Sequence, residues 1–206
     1  MIYIINVNKY FMGLDSVELV MEVEKYFSIS IPDREAEKAN TVGKFVDCVA
    51  KILNVKSYDF NLRDDTFSTL KKEINRLTEN KNDFLITDKV QDNLKIENQE
   101  HLSELEHAIN LKLPGIYISK EKPTSLFSRF KNWVNSSAVF DFNEISWKKY
   151  IDVVLAHNLE ITINPKQIKS KYEIYIALMR LIVDKIGVDY FEIGIEKIFT
   201  DDLGVD

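Results

Sequence analysis

Two stretches at opposite ends of the chain decide its fold: Phe199-Thr-Asp-Asp-Leu-Gly-Val-Asp206 and Gly13-Leu-Asp-Ser-Val-Glu-Leu-Val-Met-Glu-Val-Glu-Lys-Tyr-Phe27. Read tail to head, they form a loop followed by an amphipathic helix, because apolar residues recur every three or four positions in the second stretch. Residues 172–186 show the same periodicity, and Gly187 follows them as a helix-ending residue should. We therefore predict that the two ends of the chain fold together.

Two further helices complete the terminal part of the sequence. Pro32-Asp33 interrupts the chain and opens a short helix around residues 35–38. Thr41 has the side chain of an N-cap residue, and the helix after it has a continuous apolar stripe. The residues of that stripe are Val42, Phe45, Val46, Val49, Ile52 and Leu53.

Joined tail to head, these segments resemble one acyl carrier protein, the family that carries phosphopantetheine. In that family a first helix leads into a loop ending Asp-Leu-Gly-Xaa-Asp, a serine follows, and the second helix reads Leu-Asp-Xaa-Val-Glu-Leu-Val-Met. The resemblance covers Tyr172 to Asp206 and Gly13 to about Leu53. It implies an all-α fold containing an acyl-carrier-like four-helix bundle closed by the N- and C-terminal segments. Residues 12–55 together with 165–206 would form this circularly permuted module.

The resemblance also bears on the prosthetic group, 4'-phosphopantetheine, which the family holds on its serine. Gly13 occupies the position of that serine, and glycine cannot carry the arm. The alternative takes Asp15-Ser16-Val17 as the attachment motif, so that Ser16 is the cofactor-binding residue. The start of a helix favours a phosphate through its free N–H groups and its dipole. Two hypotheses follow: a module without its own arm, and a true acyl carrier that uses Ser16.

The middle of the chain resembles a second, degenerate carrier-like helical module. We assign it residues 60–160, with an insertion at 115–143. Residues 67–77 would be its first helix and 87–94 its loop. The aligned segments are Glu22 to Pro32 with Glu104 to Pro114, and Thr41 to Val49 with Ser146 to Val154.

The resemblance implies a docking surface on the helix that begins near Asp15. In carrier proteins a mixed acidic and apolar face of this helix meets partner enzymes, and acidic residues steer association with a basic patch. The alternative is a solvated acidic face beside core residues. The predicted partner-binding residues are Asp15, Val17, Glu18, Met21 and Glu24.

The function that these features predict is docking to protein partners with basic and apolar patches, in fatty-acid or polyketide-type metabolism. Each half-module could also pair with a neighbouring molecule and give an intertwined homodimer. The net charge of -6 and the pI near 5.2 argue against nucleic acid as a partner, because no basic stripe is available for phosphates. The apolar residues 1–11 are too short to span a bilayer. The single cysteine, Cys48, is compatible with a cytoplasmic location.

The sequence contains few residues suited to catalysis. It has no glycine-rich phosphate loop, no cysteines at metal-ligand spacing and no nucleophile elbow. His101, Glu104 and His107 follow each other at intervals of three, but a carboxylate metal site in a helix bundle needs ligands from several helices. We predict no metal site, no catalytic residue and no enzymatic activity. The competing hypothesis of an enzyme built on His101 and Glu104 would require bound metal.

Overall fold

The computed structural model describes residues 14–78, 83–94, 99–115 and 145–205 of the chain. Across these ranges the regular structure is helical, and β-pairing is confined to two isolated bridges. The prediction of an all-α fold is confirmed for this part of the chain. The helices are α1 (Leu14–Phe27), α2 (Asp33–Lys38), α3 (Val42–Ile52), α4 (Asn61–Leu77), α5 (Val90–Asn93), α6 (Gln99–Ile109), α7 (Trp147–His157), α8 (Leu159–Thr162), α9 (Lys171–Ile186) and α10 (Phe199–Leu203).

Local sequence signals account for several of the helix ends. The Thr41 hydroxyl accepts a hydrogen bond from the Lys44 backbone at 3.2 Å and caps α3. Ser146 caps α7 and Ser170 caps α9 in the same way. Gly187 ends α9 at a φ of 80°, which lies in the left-handed region that favours glycine.

Helices from the two ends of the chain share one core. α9 packs against both α1 and α3. Two ion pairs cross this contact: Lys185 Nζ lies 3.4 Å from Glu22 Oε1, and Lys171 Nζ lies 2.6 Å from Asp47 Oδ1. Most of the stabilisation comes from apolar burial, because the core-facing residues of α1 and α9 are almost completely removed from water.

The segment that leads into α10 is held against the start of α3. Thr41 and Ile198 form an isolated antiparallel bridge there, and the rings of Phe45 and Phe199 meet edge to face at 5.8 Å. The backbone hydrogen bonds are Val42 N to Lys197 O at 3.0 Å, Gly43 N to Ile195 O at 2.7 Å, and Phe199 N to Asn40 O at 3.1 Å.

The middle of the chain reproduces this arrangement with different residues. Lys89, which precedes α5, bridges to Ser146, which caps α7. At the start of α3, the consecutive N–H groups of Val42 and Gly43 donate to two carbonyls that lie two residues apart. At the start of α7, the N–H groups of Trp147 and Lys148 do the same. The corresponding hydrogen bonds are Trp147 N to Asp88 O at 2.9 Å, Lys148 N to Ile86 O at 2.7 Å, and Val90 N to Ile145 O at 2.8 Å.

The ends of α1 and α6 show a second correspondence. Each helix is followed by a non-glycine residue with positive φ, Ser28 at 54° and Asn110 at 55°. In each case a glutamate one turn before the helix end closes the following loop with its side chain. Glu24 Oε1 accepts from Ile31 N at 2.6 Å, and Glu106 Oε1 accepts from Leu113 N at 2.8 Å.

The core of the middle segment is aromatic. α4 packs against α6 and α7, and α7 packs in turn against α9. Trp147 is completely buried and stacks on Phe84 at 5.2 Å, while Phe67 meets Phe84 edge to face at 5.7 Å.

The predicted first helix of this segment started at Phe67, but α4 begins at Asn61. The prediction missed the start of α4 because the residue buried there is Arg63, whereas a buried helix position usually holds an apolar residue. The predicted insertion at 115–143 falls outside the described residues except for Gly115.

Candidate docking surface on the first helix

α1 has a buried face and an exposed face. Leu19, Val23 and Phe27 follow each other at intervals of four residues and are at most 4% exposed. They point towards the core that α1 shares with α9. The opposite side of the helix is consequently left to solvent.

Apolar side chains lie on that exposed side. Val17 is 41% exposed and Met21 is 60% exposed, and the interval of four residues places them next to each other on one face. Glu18 beside them is also exposed. A flexible methionine next to a carboxylate offers adaptable apolar contact together with a negative charge. Three of the five predicted partner-binding residues thus lie together at the surface.

The other predicted residues of α1 are less accessible. Asp15 and Ser16 lie in the first turn of the helix and are partly buried. Glu24 is also partly buried, and its carboxylate bonds the Ile31 backbone rather than pointing freely into solvent. Glu22, which is not among the predicted partner-binding residues, forms ion pairs with Lys25 and Lys185. Gly13, which occupies the position of the family's serine, and Asp206 lie outside the described residues.

The acidic residues of α10 are used within their own turn. Asp202 Oδ2 accepts a hydrogen bond from Ile198 N at 2.8 Å, and Lys197 Nζ lies 3.7 Å from Asp202 Oδ1. Thr200 donates to Asp201 Oδ1 at 3.0 Å. These carboxylates therefore stabilise the short helix.

A stretch of 39 residues is 50% identical to the acyl carrier protein of Chlorobium phaeobacteroides, and to the same extent to that of Chlorobium phaeovibrioides. It makes up 19% of this chain and 50% of each relative, so the chain spans about half the length of the curated relatives it matches. The chain contains an acyl-carrier-like region. No family model matches the chain, and no solved structure does.

The remaining sequence candidates occupy ordinary surface positions. His101, Glu104 and His107 lie on α6, where Glu104 Oε1 accepts from Arg76 Nη2 at 3.0 Å. Within the described ranges, no three or more His, Cys, Asp or Glu residues are grouped so as to hold a metal ion. Burial raises the pKa of the Cys48 thiol, and the negative charge of Glu35 adds a smaller shift in the same direction. None of the described helices combines the length and apolar character needed to cross a membrane.

Proposed function

We propose that this protein is an acyl-carrier-like docking module that binds enzymes of fatty-acid or polyketide-type metabolism and has no prosthetic arm of its own. The observation that carries the proposal is the exposed Val17, Glu18 and Met21 surface of α1, in a chain with local similarity to acyl carrier proteins. The suggested partners have an apolar patch for Met21 and basic residues for Glu18. The role is one of binding in the cytoplasm, without catalysis.

The proposal includes a circular permutation. Residues 12–55 with 165–206 form one module, in which α9 acts as the first helix and α1 as the second. The packing of α9 against α1 and α3 supports this assignment. Residues 60–160 form the other module, with α4, α6 and α7 in the usual order. The matching backbone hydrogen bonds at Val42 and Trp147 support a common origin for the two. An intertwined homodimer remains the alternative way to complete the terminal module.

The absence of an arm rests on Gly13, and the alternative is an arm on Ser16. Incubation with coenzyme A and a broad phosphopantetheinyl transferase distinguishes the two when intact mass is recorded. We expect the mass to stay unchanged. A gain of one phosphopantetheine that is lost in Ser16→Ala would replace the adaptor proposal with the true carrier. A separate positive control with an ordinary acyl carrier protein establishes that the transferase is active.

Docking is tested with a ketoacyl synthase of fatty-acid synthesis immobilised on a biosensor. We expect Met21→Glu to weaken binding by about 10-fold or more, because a charge enters an apolar contact. Leu85→Glu is the matched control, since Leu85 has the same 60% exposure on another part of the surface. Equal losses in the two variants, or no binding by the unmodified protein, would count against the α1 surface.

Charge is tested separately from apolar contact. Glu18→Lys reverses a charge on the proposed surface and should lower the association rate, with a smaller effect at high salt. Asp47→Lys is an unsuitable control because Asp47 pairs with Lys171. Glu37, an exposed glutamate of α2, provides the matched reversal. An association rate that is equally sensitive to both reversals would show only a general effect of net charge.

A further inference from the structure

A pocket of about 510 Å³ lies between α4, α7, α9 and the segment that leads into α10. Aromatic rings, including those of Phe60 and Tyr172, form part of its wall. The described residues that line it include four cations and three carboxylates, an excess of one positive charge. The pocket is remote from the exposed side of α1, and none of its lining residues belongs to that helix.

Arg63 is the unusual residue of this pocket. It is 8% exposed, and its Nε is buried without a hydrogen-bond acceptor among the described residues. The nearest carboxylate oxygen, Asp64 Oδ1, is 3.6 Å from Nε, which is too long for a hydrogen bond. The guanidinium lies 4.0 Å from the centroid of the Phe60 ring. Cation–π attraction offsets part of the cost of burial, but it leaves the Nε–H donor unsatisfied.

Comparison of the two repeated segments explains how Arg63 loses a partner. Asp47 in α3 pairs with Lys171 at the start of α9. The equivalent carboxylate in α7 is Asp152, and Arg63 lies at the start of α4. Asp152 accepts a hydrogen bond from the Tyr172 hydroxyl, and its charge acts on Arg63 only at longer range. The arginine therefore lacks the close carboxylate contact that Lys171 makes with Asp47.

Lys149, a partly buried cation of the pocket, is already engaged. The Lys149 ammonium donates to the Ile193 carbonyl. Burial lowers the pKa of Lys149, whereas the nearby carboxylate of Asp152 opposes that shift. Lys148 is exposed at the pocket. Among the cations that line the pocket, Arg63 is thus the one with a buried, unsatisfied donor.

We propose that this pocket binds a small monocarboxylate with an apolar body, and that the carboxylate accepts hydrogen bonds from the Arg63 guanidinium. The planar fork of arginine matches the two oxygens of a carboxylate. A single negative charge balances the charge excess of the lining, and the aromatic wall suits an apolar body. The site does not depend on the proposed docking function, because it shares no residue with the α1 surface.

The probe for the test is phenylacetate, with phenylacetamide as its neutral counterpart, and calorimetry measures binding. We expect phenylacetate to bind saturably and phenylacetamide to bind at least about 10-fold more weakly, as the loss of a charge-assisted hydrogen bond predicts. Arg63→Met should reduce phenylacetate affinity by a similar factor, and Arg63→Lys by less. Arg76→Met is the matched control, because Arg76 is an exposed arginine of the same helix.

Thermal unfolding without ligand separates a binding role from a structural one. Removal of a buried, unsatisfied guanidinium should leave the melting temperature of Arg63→Met unchanged or raised. A lower melting temperature together with unchanged phenylacetate affinity would show that Arg63 only supports the Phe60 and Tyr172 rings. If Arg63→Met does not fold, Lys148→Met, an exposed substitution, should weaken phenylacetate binding and leave phenylacetamide binding unchanged.

Three results would overturn the assignment. One is no binding of phenylacetate by the unmodified protein at about 10 mM, the range of very weak ligands. The second is equal affinity for the acid and the amide. The third is binding of inorganic phosphate in preference to phenylacetate, which would place a different class of anion in the pocket.

Discussion

Replacement of Gly43 by alanine tests the contact between the two ends of the chain. Gly43 lies in the first turn of α3, and its N–H bonds the Ile195 carbonyl at 2.7 Å. A Cβ at this position would lie 2.8 Å from Ile195 O and 3.1 Å from Ile195 Cγ1. The first distance is shorter than Cβ atoms tolerate, and the atom concerned is backbone. The segment before α10 would have to move away from α3.

The expected magnitude is the difference between two effects. Overpacking costs about 1–3 kcal/mol, and the upper part of this range, about 2–3 kcal/mol, applies here because the clashing atom is backbone; the better helix propensity of alanine returns about 1 kcal/mol. We expect a net destabilisation of about 1–2 kcal/mol, which corresponds to a melting temperature lowered by roughly 2–8 °C for a chain of this size. Urea unfolding followed by far-ultraviolet circular dichroism measures it.

Lys148→Ala is the matched control, because Lys148 occupies the equivalent position in the middle segment and already has a Cβ. We expect Lys148→Ala to change the free energy of unfolding by less than about 0.5 kcal/mol, because Lys148 is exposed. If Gly43→Ala is as stable as the unmodified protein, or gains the full helix-propensity increment, the contact between α3 and Ile195 does not exist in solution.

Three further changes have defined outcomes. Glu106→Ala should lower the free energy of unfolding by about 2 kcal/mol in urea titrations, because it leaves the Leu113 N–H without its charged acceptor. Thr41→Ala should cost about 1 kcal/mol by the same assay, since the cap on the Lys44 N–H is lost. Burial raises the pKa of Asp152 above its ordinary value of 3.8, so its contribution to stability is fully present below that pH and is lost as pH rises through the raised pKa. The stability of Asp152→Asn relative to the unmodified protein should therefore increase as pH rises above the ordinary pKa of 3.8 towards the raised pKa of Asp152.

Each of these changes has a result that would contradict it. Glu104→Ala removes a neighbouring, more exposed glutamate and should cost less than about 0.5 kcal/mol; a cost equal to that of Glu106→Ala would deny the loop-closing role. A stability difference for Asp152→Asn that does not vary with pH would mean that Asp152 is not desolvated. A Thr41→Ala variant as stable as the unmodified protein would show that α3 is capped in some other way.

Helix positions were predictable wherever periodicity and end signals agreed. The stripe from Val42 to Val49, the Thr41 cap and the Gly187 terminator each act through local geometry, so sequence alone placed α3 and α9 closely. The start of α4 was placed too late because its first turn buries Arg63 among aromatic rings. A polar residue that is buried by contacts from distant parts of the chain does not show its burial in the local sequence pattern.

Side-chain roles were less predictable than helix positions. Glu24 fits an acidic docking face in the sequence, but its carboxylate closes the loop before α2. Its equivalence to Glu106 was visible in the aligned segments, yet the loop contact depends on the left-handed residue after each helix. The exposure of Val17 and Met21 follows from the way α1 packs on α9, which involves residues far apart in sequence.

Zero-length cross-linking between Glu22 and Lys185 tests most directly whether the two ends of one chain form a single helical unit. Their charged atoms are 3.4 Å apart, so a carbodiimide should join the α1 and α9 peptides. The sample is an equal mixture of 14N- and 15N-labelled protein, analysed by mass spectrometry after digestion. We predict that the linked peptides carry one isotope only, as expected within one molecule. Absence of this cross-link would contradict the fold, and linked peptides of mixed isotope would show that the bundle is completed by a second molecule.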